Sequence, residues 1–495
     1  MPSPDLFAAI DLGSNSFRLE IGRLENGLLR RVEYLKDTVR QGNGLDAEHQ
    51  LSVEAMERGW ACLARFGERL AGWPSTQVRA VATQTLREAR NREVFLERAQ
   101  RLLGHRIEVI TGREEARLIY LGVTHTLPEA DEQRLVIDIG GRSTELILGQ
   151  GQQPQWLQSY PVGSVSWSMQ YFPNGRWSRS ALRTAEVAAQ AVLDEALSHC
   201  PRSRWARAYG CSGTVGAVAD VLQAQGWPAG TITAQGLDWL QEQLLEAGSP
   251  ERLRLAGLKD DRRPVMAGGL SVLRAVFELM QIDTLHLSSG ALRHGALFDL
   301  LERENPGTDV RDRMIDWLAR HFEVDAAHAE RVTQTALGLF DQLNAAAGQH
   351  AQRRPLQWAA QVHEIGMHIA HSEYHKHGAY ILEHTDLAGF TVDELHHLGV
   401  LVLGQRGKLR KLGAALDALT VAQPLLALRL AVLLCHARRA PDAHGLRLHW
   451  TPASQGAALH LPEGWAQRYP QSAHLLHEEQ SAWAKTPWPL RVLGL

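Results

Sequence analysis

The pattern of apolar and polar residues predicts a β-hairpin at residues 135–149. An apolar run that includes Asp138 ends at a short polar turn with two glycines. Apolar residues resume at Leu146. Two apolar runs joined by a glycine-containing turn are typical of a strand–loop–strand unit. Because glycine has no Cβ, backbone N–H groups at such a tip can approach an anion closely. The alternative interpretation is an ordinary acidic turn.

The same pattern occurs a second time near the N-terminus. Residues 6–22 repeat it at an offset of 127 residues, which aligns Asp11 with Asp138 and Gly13 with Gly140. This internal repeat predicts a duplicated domain in which two phosphate loops face one cleft. Carboxylates beside the glycines would repel a bare phosphate, so the pattern also suggests that a divalent cation accompanies the phosphate.

Other apolar runs in the first 305 residues lead directly into helical patterns, which predicts strand–turn–helix junctions. Such junctions lie at residues 78–91, 208–216 and 284–295. In the first of them, Thr83, Arg87 and Asn91 are four residues apart, which predicts that they share one helix face. An arginine near a helix start can bind an anion, but a solvated charged face explains the spacing equally well.

The two later junctions contain glycine turns that could hold phosphate. One contains Ser212, Gly213 and Thr214, and the other contains Gly290 with Arg293 in the following helical turn. A glycine turn at the start of a helix exposes backbone N–H groups to an anion. We therefore interpret both junctions as candidate phosphate or nucleotide loops.

Glu115 is a candidate catalytic residue because of its position in a helical pattern. The helix starts after Thr111, and Glu115 shares its apolar stripe with Leu118 and Ile119. A carboxylate on an apolar stripe beside a cleft can act as a general base. The alternative is that Glu115 only interacts with the dipole at the helix N-terminus.

The second part of the chain has a different pattern. A cluster of breaker residues at 304–308 precedes a region with helical spacing of apolar residues, which contains eight histidines between His363 and His397. One of the helices predicted there lies at 412–420, and two short strand-like pieces and a helix are predicted within 447–495. The predicted domains are residues 1–127, 128–305, 306–445 and 446–495.

Composition narrows the class of protein. The 495 residues are 44% hydrophobic and carry a net charge of −3, so no global basic field attracts a polyanion and no nucleic-acid partner is expected. Four scattered cysteines without metal-type spacing suggest reduced, buried thiols in a cytoplasmic protein. The apolar stretch Leu425–Cys435 is too short to span a bilayer, so stable membrane insertion is not expected, whereas peripheral association stays open.

Several motifs, taken together, resemble one family. They lie at residues 9–17, 82–91, 112–120, 138–145, 212–214 and 290–293. The chain resembles the exopolyphosphatase and guanosine pentaphosphate phosphohydrolase family, and its two hairpins resemble the phosphate loops of the actin–hexokinase superfamily. The resemblance implies an α/β fold with a duplicated ribonuclease-H-like (actin/hexokinase-like) two-domain core, followed by a mostly helical HD-like C-terminal domain.

The resemblance also implies roles for individual residues. Glu115 would activate water, and Asp138 and Glu145 would hold Mg²⁺. The remaining residues would bind substrate. They are Asp11, Gly13, Ser14 and Asn15 in the first loop, Gly140, Gly141, Arg142 and Ser143 in the second loop, Arg87, and Ser212, Gly213, Thr214, Gly290 and Arg293 in the cleft.

The expected function is exopolyphosphatase activity, the Mg²⁺-dependent release of terminal phosphate from inorganic polyphosphate, in a homodimer. A polyphosphate track could be formed by basic residues of the helical domain. These are Arg353, Arg354, Lys376, Lys408, Arg410, Lys411, Arg438 and Arg439. The alternative is 5′-phosphohydrolysis of guanosine pentaphosphate. An actin-like small-molecule kinase and a non-catalytic nucleotide sensor are more remote alternatives.

Two positions depart from the expected pattern. Arg142 stands where the family often has a small residue, and its guanidinium could add a phosphate contact. His363 and Glu364 stand where the wider superfamily of helical phosphohydrolases has a metal-binding His-Asp pair. Because glutamate replaces aspartate there, we expect a metal-free helical domain.

Overall fold

Two mixed β-sheets form the first part of the molecule in a computed structural model of the chain. The chain divides into two units, Met1–Asp309 and Val310–Leu495. The structure describes residues 5–25, 28–127, 131–303, 309–343, 350–385, 387–440, 443, 445–451 and 456–494. The predicted breaker cluster at 304–308 lies outside these residues, and the predicted boundaries at 127, 305 and 445 stay predictions.

The first sheet has five strands in the order β3-β2-β1-β4-β5. Its strands are β1 Leu6–Leu12, β2 Phe17–Glu25, β3 Leu28–Asp37, β4 Val78–Ala82 and β5 Ile107–Val109. The first three strands pair antiparallel, and β4 and β5 continue the sheet in parallel to β1. Strand β1 is almost fully buried, as its apolar sequence requires for a strand that is covered on both faces.

The second sheet has the same order with one additional edge strand, β10-β11-β9-β6-β7-β8. Its strands are β6 Gln133–Ile139, β7 Thr144–Gln150, β8 Gln153–Tyr160, β9 Arg207–Cys211, β10 Thr231–Thr233 and β11 Thr284–Leu287. Asp138 pairs with Glu145 across its hairpin, and Asp11 pairs with Arg18 across the hairpin of the first sheet. The repeat seen in the sequence is therefore repeated in the register of the strands.

Helices flank both sheets of the first unit. They are α1 Val53–Arg69, α2 Gln84–Glu88, α3 Arg92–Leu103, α4 Gly112–Thr124, α5 Ser164–Tyr171, α6 Arg179–Leu193, α7 Ala196–His199, α8 Gly213–Ala224, α9 Ala234–Ala247, α10 Met266–Met280 and α11 Leu292–Arg303. Short 3₁₀ turns lie at Gln41–Gly44, Ser75–Gln77, Arg202–Arg204 and Asp260–Val265. Thr111 caps α4 through a hydrogen bond from the Glu114 amide, in agreement with the predicted helix start after Thr111.

The prediction that Thr83, Arg87 and Asn91 share one helix face is wrong. Helix α2 ends at Glu88, and Asn91 precedes a new helix. The Asn91 side chain instead bonds both backbone groups of Leu51, and this tertiary contact competes with continuation of the helix.

Glycines allow α4 and α11 to pack very closely. A Cβ on Gly295 would lie 1.7 Å from the Leu118 carbonyl oxygen, and one on Gly122 would lie 2.3 Å from the Ala291 carbonyl oxygen. Such distances are possible only where no side chain is present. Because α4 carries Glu115, this contact helps to fix the position of the candidate base.

The second unit is mostly helical. Its helices are α12 Val310–His321, α13 Ala326–Leu343, α14 Arg353–Gln361, α15 Tyr374–His384, α16 Val392–Gly404, α17 Leu419–Leu434, α18 Trp465–Arg468 and α19 Pro470–Trp483. Its 3₁₀ segments are His350–Gln352, Ile365–His368 and Leu409–Asp417. Strands β12 Arg447–Thr451, β13 Gly456–His460 and β14 Leu490–Leu493 form a small sheet.

Two predictions about the second unit need correction. The single helix expected at 412–420 does not form: residues up to Asp417 belong to a 3₁₀ segment that is kinked at Gly413, where φ is 53°, and α17 begins at Leu419. The C-terminal region holds three strands and two helices rather than two strands and one helix. Among the described residues, no helix combines the length and the hydrophobicity that a membrane span requires.

Candidate active site

The first unit contains a cavity of about 350 Å³ at which the tips of the two hairpins meet. Most of the predicted site residues line it. These are Asp11, Gly13, Ser14, Asn15, Glu115, Asp138, Gly140, Gly141, Ser143, Ser212, Gly213, Thr214, Gly290 and Arg293. Arg87, Arg142 and Glu145 do not line it. Segments from both sheets and from three helix starts therefore converge on one space.

The two hairpin tips are in direct contact. A Cβ on Gly141 would lie 2.9 Å from the Cβ atom of Ser14, so only glycine fits at this point. The Gly141 carbonyl accepts a hydrogen bond of 2.7 Å from the Val165 amide at the start of α5. The Ser14 carbonyl accepts one of 2.7 Å from the Gly42 amide. These contacts hold both tips in place.

The carboxylates of the predicted base and of the two predicted metal ligands are buried close to this point. Glu115, Asp138 and Glu145 have exposed fractions of 7%, 8% and 1%. Burial raises the pKa of Asp138 to about 7, and the Glu115 charge contributes in the same direction. Burial, together with the Glu115 and Asp138 charges, raises the pKa of Glu145 well above its ordinary value. Carboxylates that repel one another in a buried site favour a bound cation.

Two of these carboxylates are oriented by hydrogen bonds from neighbours. The Ser159 hydroxyl donates a hydrogen bond of 2.7 Å to Glu145. The Cys211 thiol donates one of 3.2 Å to Asp138. Glu145 lies outside the cavity lining because its side chain is directed to Ser159 on β8, the neighbouring strand. Its carboxylate remains electrostatically linked to Asp138 and Glu115.

Arg87 contacts the candidate base and is absent from the cavity lining. Its guanidinium donates to Glu115 Oε2 at 2.7 Å and to the Ile110 carbonyl at 3.0 Å. Burial raises the pKa of Glu115, and the Arg87 charge opposes this shift. The ion pair explains why Arg87 does not reach the space expected for substrate phosphate.

Arg142 is also engaged by protein groups. It donates to Glu88 Oε2 at 2.7 Å from Nη2 and at 3.1 Å from Nε. Its Nη1 donates to the Gly42 carbonyl at 3.2 Å. The side chain therefore connects the second hairpin tip to α2 and to the segment that supports Ser14, and it lies outside the lining for this reason.

Arg293 lines the cavity but is also paired. Its Nε donates to Glu20 Oε2 at 2.5 Å, and its guanidinium lies 5.1 Å from the centre of the Tyr34 ring. Gly290 has a second role besides lining the cavity, because a Cβ there would lie 2.2 Å from the Gly122 carbonyl oxygen.

Several basic residues that were not predicted from the sequence line the same cavity. They are Arg18, Lys36, Lys259 and Arg262. Arg18 donates to Asp11 Oδ2 at 2.9 Å, and burial together with the Arg262 charge lowers the pKa of Lys36. The hairpin register could have indicated Arg18, since it takes the position in the first hairpin that Glu145 takes in the second. No local motif marks the other three residues.

Comparisons with known proteins agree with this architecture. A model described as "Ppx/GppA phosphatase family" matches residues 21–304, and one described as "Ppx/GppA phosphatase, domain III" matches residues 310–480. The chain is similar to an exopolyphosphatase structure from Cytophaga hutchinsonii, with 25% identity, a TM-score of 0.54 and coverage of 60% of this chain and 98% of that one. It is similar to the Aquifex aeolicus family member, with 27% identity, a TM-score of 0.51 and coverage of 61% and 98%.

Curated relatives match over the whole length. A protein of Aeromonas hydrophila named guanosine-5′-triphosphate,3′-diphosphate pyrophosphatase is 39% identical over 100% of both chains. A protein of the same name from Photobacterium profundum is 37% identical over 99% of this chain and 98% of its own length. The expected fold and the expectation of a phosphoanhydride hydrolase are confirmed. The chain belongs to the Ppx/GppA phosphatase family.

Proposed function

We propose that this protein hydrolyses the terminal 5′-phosphoanhydride bond of guanosine pentaphosphate. The full-length similarity to relatives whose name refers to guanosine-5′-triphosphate,3′-diphosphate carries this choice of substrate. It favours this alternative over the hydrolysis of polyphosphate that was the first expectation from the sequence. Family membership also favours a phosphatase over a small-molecule kinase or a nucleotide sensor.

The ion pairs of the second unit support the same choice. Several of the basic residues expected to form a polyphosphate track are paired with carboxylates. The pairs are Arg353 with Asp341 at 2.9 Å, Arg354 with Asp312 at 2.6 Å, Lys376 with Glu373 at 2.6 Å and Arg438 with Asp325 at 2.9 Å. A cation that is already neutralised contributes less to the attraction of a long polyanion.

In the proposed reaction, Glu115 orients a water molecule and accepts its proton as the water oxygen attacks the terminal phosphorus. The bond between this phosphorus and the bridging oxygen breaks, and the electron pair leaves with the nucleotide. Arg87 holds Glu115 in position through their 2.7 Å ion pair. Backbone N–H groups at the two glycine tips stabilise charge on the transferred phosphoryl oxygens.

The donor chemistry of the buried carboxylates supports a magnesium ion as the cofactor. Asp138, Glu145 and Glu115 supply only oxygen donors, and their buried charges repel one another. Mg²⁺ prefers oxygen ligands and tolerates a site that leaves some positions for water and phosphate. We propose that Asp138 and Glu145 hold it, where it would supply neutralising charge beside the phosphate oxygens.

The additional basic residues suggest how the cavity would bind the rest of the nucleotide. Lys36, Lys259 and Arg262 line the same space as the phosphate loops. Guanosine pentaphosphate carries a second phosphate chain on its 3′ oxygen. We infer that these three residues contact phosphates of the nucleotide other than the one transferred.

A direct comparison of substrates tests the proposal. Phosphate release with Mg²⁺ should be measured from guanosine pentaphosphate and from long-chain polyphosphate at equal concentrations of terminal phosphate. We expect a higher kcat/KM for the nucleotide. A higher kcat/KM for polyphosphate would reject the proposed substrate and restore the first expectation.

The proposed homodimer and the cytoplasmic location stay predictions.

A further inference from the structure

The second unit contains a buried cluster of two imidazoles and one carboxylate. His328 lies on α13, while His363 and Glu364 lie in the turn that follows α14. One potential ligand atom from each residue lies within 4.8 Å of those of the other two, and all three residues are buried. Nothing in the proposed hydrolysis uses this cluster.

His363 presents a free nitrogen to the cluster. The residue is completely buried, and its Nδ1 lies 2.7 Å from the Ala360 carbonyl oxygen. A carbonyl can only accept, so Nδ1 carries the proton and Nε2 keeps its lone pair. Nε2 is buried without a hydrogen-bond partner. Metal-binding histidines commonly donate their other nitrogen to a carbonyl in this manner.

His328 completes the cluster from the neighbouring helix. Its Nε2 lies 3.8 Å from Glu364 Oε1, which is too long for a hydrogen bond, and its Nδ1 is buried without a partner. The Asp325 carboxylate accepts a hydrogen bond of 3.0 Å from the His328 amide and thereby fixes the start of the helix. Buried polar atoms without partners are costly unless something else satisfies them.

Arg438 would compete with a metal ion for the Glu364 carboxylate. Its Nη2 donates to Glu364 Oε1 at 3.0 Å and to Oε2 at 3.1 Å, and its Nη1 donates to Asp325 at 2.9 Å. Its side chain is 45% exposed, so it can move away into solvent. Each carboxylate oxygen has more than one acceptor position, which allows Glu364 to bind a metal while it still accepts from an arginine.

We propose that His328, His363 and Glu364 bind a divalent transition-metal ion of the Zn²⁺ class. Two imidazoles and one carboxylate suit such an ion and do not suit Mg²⁺, which prefers oxygen ligands. Three protein ligands leave a coordination position for water. The proposal replaces the expectation of a metal-free helical domain. It does not depend on the proposed nucleotide activity, since the ligands belong to the second unit alone.

The test measures Zn²⁺ that remains bound to the full-length chain, expressed without a polyhistidine tag. The protein is incubated with Zn²⁺ in the presence of excess Mg²⁺, separated from free metal by gel filtration and analysed for metal content. We expect one Zn²⁺ per chain in the wild type and none at this site in His363→Gln. The matched control is His474→Gln, because His474 is an exposed histidine that also faces a glutamate, Glu478, at 3.7 Å. Loss of the same amount of Zn²⁺ in the control would contradict the assignment.

A second variant keeps the proposal testable if His363→Gln does not fold. Arg438→Gln removes the competing positive charge and leaves all three ligands in place. We expect it to bind Zn²⁺ more tightly than the wild type, and we expect bound Co²⁺ to give the visible absorption of a low-coordinate site. Absence of bound Zn²⁺ in both the wild type and Arg438→Gln would overturn the proposal.

Discussion

At the scale of single residues, the ion pair between Glu115 and Arg87 favours the charged carboxylate that the proposed role of Glu115 as a base requires. Burial alone would favour the protonated form of Glu115, and the guanidinium at 2.7 Å opposes that tendency. The sequence predicted both residues but assigned Arg87 to substrate. A contact between α2 and α4 depends on how the two helices pack in the folded chain. The spacing of residues along the sequence does not reveal it.

Replacement of Glu115 by Gln is the sharpest test of the catalytic assignment. The amide has the same shape but cannot accept the proton, so we expect kcat to fall by roughly 10²- to 10⁴-fold. KM should change little, because the phosphate loops remain. Steady-state phosphate release from guanosine pentaphosphate provides the measurement, with Glu93→Gln on the exposed face of α3 as control. Nearly normal turnover in Glu115→Gln would reject the role of this residue.

The raised pKa of Asp138 predicts that stability depends on pH in protein stripped of divalent cations. Its pKa is raised from 3.8 to about 7, so the folded state binds the proton more tightly than the unfolded state does between these values. The free energy of unfolding should therefore fall as pH rises from about 4 to about 7. Urea denaturation with a chelator present measures this slope, and Asp138→Asn should reduce it. An equally steep fall in Asp138→Asn would assign the effect to other groups.

At the scale of elements, the hairpins were predictable and their supports were not. An apolar run, an aspartate and a glycine turn carry enough local information to place both tips. The contacts that connect the two tips cannot be predicted from local sequence. Arg142 reaches Glu88 at the end of α2 and the Gly42 carbonyl, and these partners are 54 and 100 residues away in sequence. For the same reason, the end of α2 before Asn91 could not be read from the four-residue spacing.

The Arg142 contacts predict that this residue acts by positioning the loops. Arg142→Gly and Glu88→Ala each break the same ion pair, so we expect both to lower kcat/KM by a similar factor. The factor could reach about 100-fold, because a shift of about 1 Å in a reacting group has effects of that size. Kinetics of both variants and of the double variant measure the coupling. A loss in Arg142→Gly alone, expressed as a higher KM, would instead support direct contact with phosphate.

The contact between α4 and α11 predicts that alanine substitutions at two glycines have opposite effects on stability. Gly295→Ala places a methyl group against the Leu118 carbonyl, and we expect destabilisation of about 1–3 kcal/mol together with lower activity, since α4 carries Glu115. A methyl group on Gly338 in α13 would meet no neighbouring atom within 4 Å beyond its own helix backbone, and Gly338→Ala should stabilise by up to about 1 kcal/mol. Chemical denaturation of both variants tests the pair. Equal stability of the two variants would show that α4 can move away from α11.

At the scale of the whole molecule, the two proposed sites belong to different units of the chain. The residues of the proposed hydrolytic site all belong to Met1–Asp309, and the proposed transition-metal ligands all belong to Val310–Leu495. Family resemblance predicted the fold of both units. It could not decide between polyphosphate and nucleotide, because the pairing of basic side chains such as Arg353 and Arg354 with Asp341 and Asp312 is a tertiary property.

This division predicts that the two units fold separately. Leu135 and Leu273 belong to a buried apolar cluster of the first unit, and Leu356 and Leu428 belong to one of the second. A unit with its own core can fold alone. We expect residues 1–309 to release phosphate from guanosine pentaphosphate with a kcat within about tenfold of the full chain, since the proposed catalytic groups remain. We expect residues 310–495 to unfold cooperatively without hydrolytic activity. Circular dichroism melts and phosphate release measure both outcomes. A folded but inactive first fragment would show that the second unit takes part in catalysis.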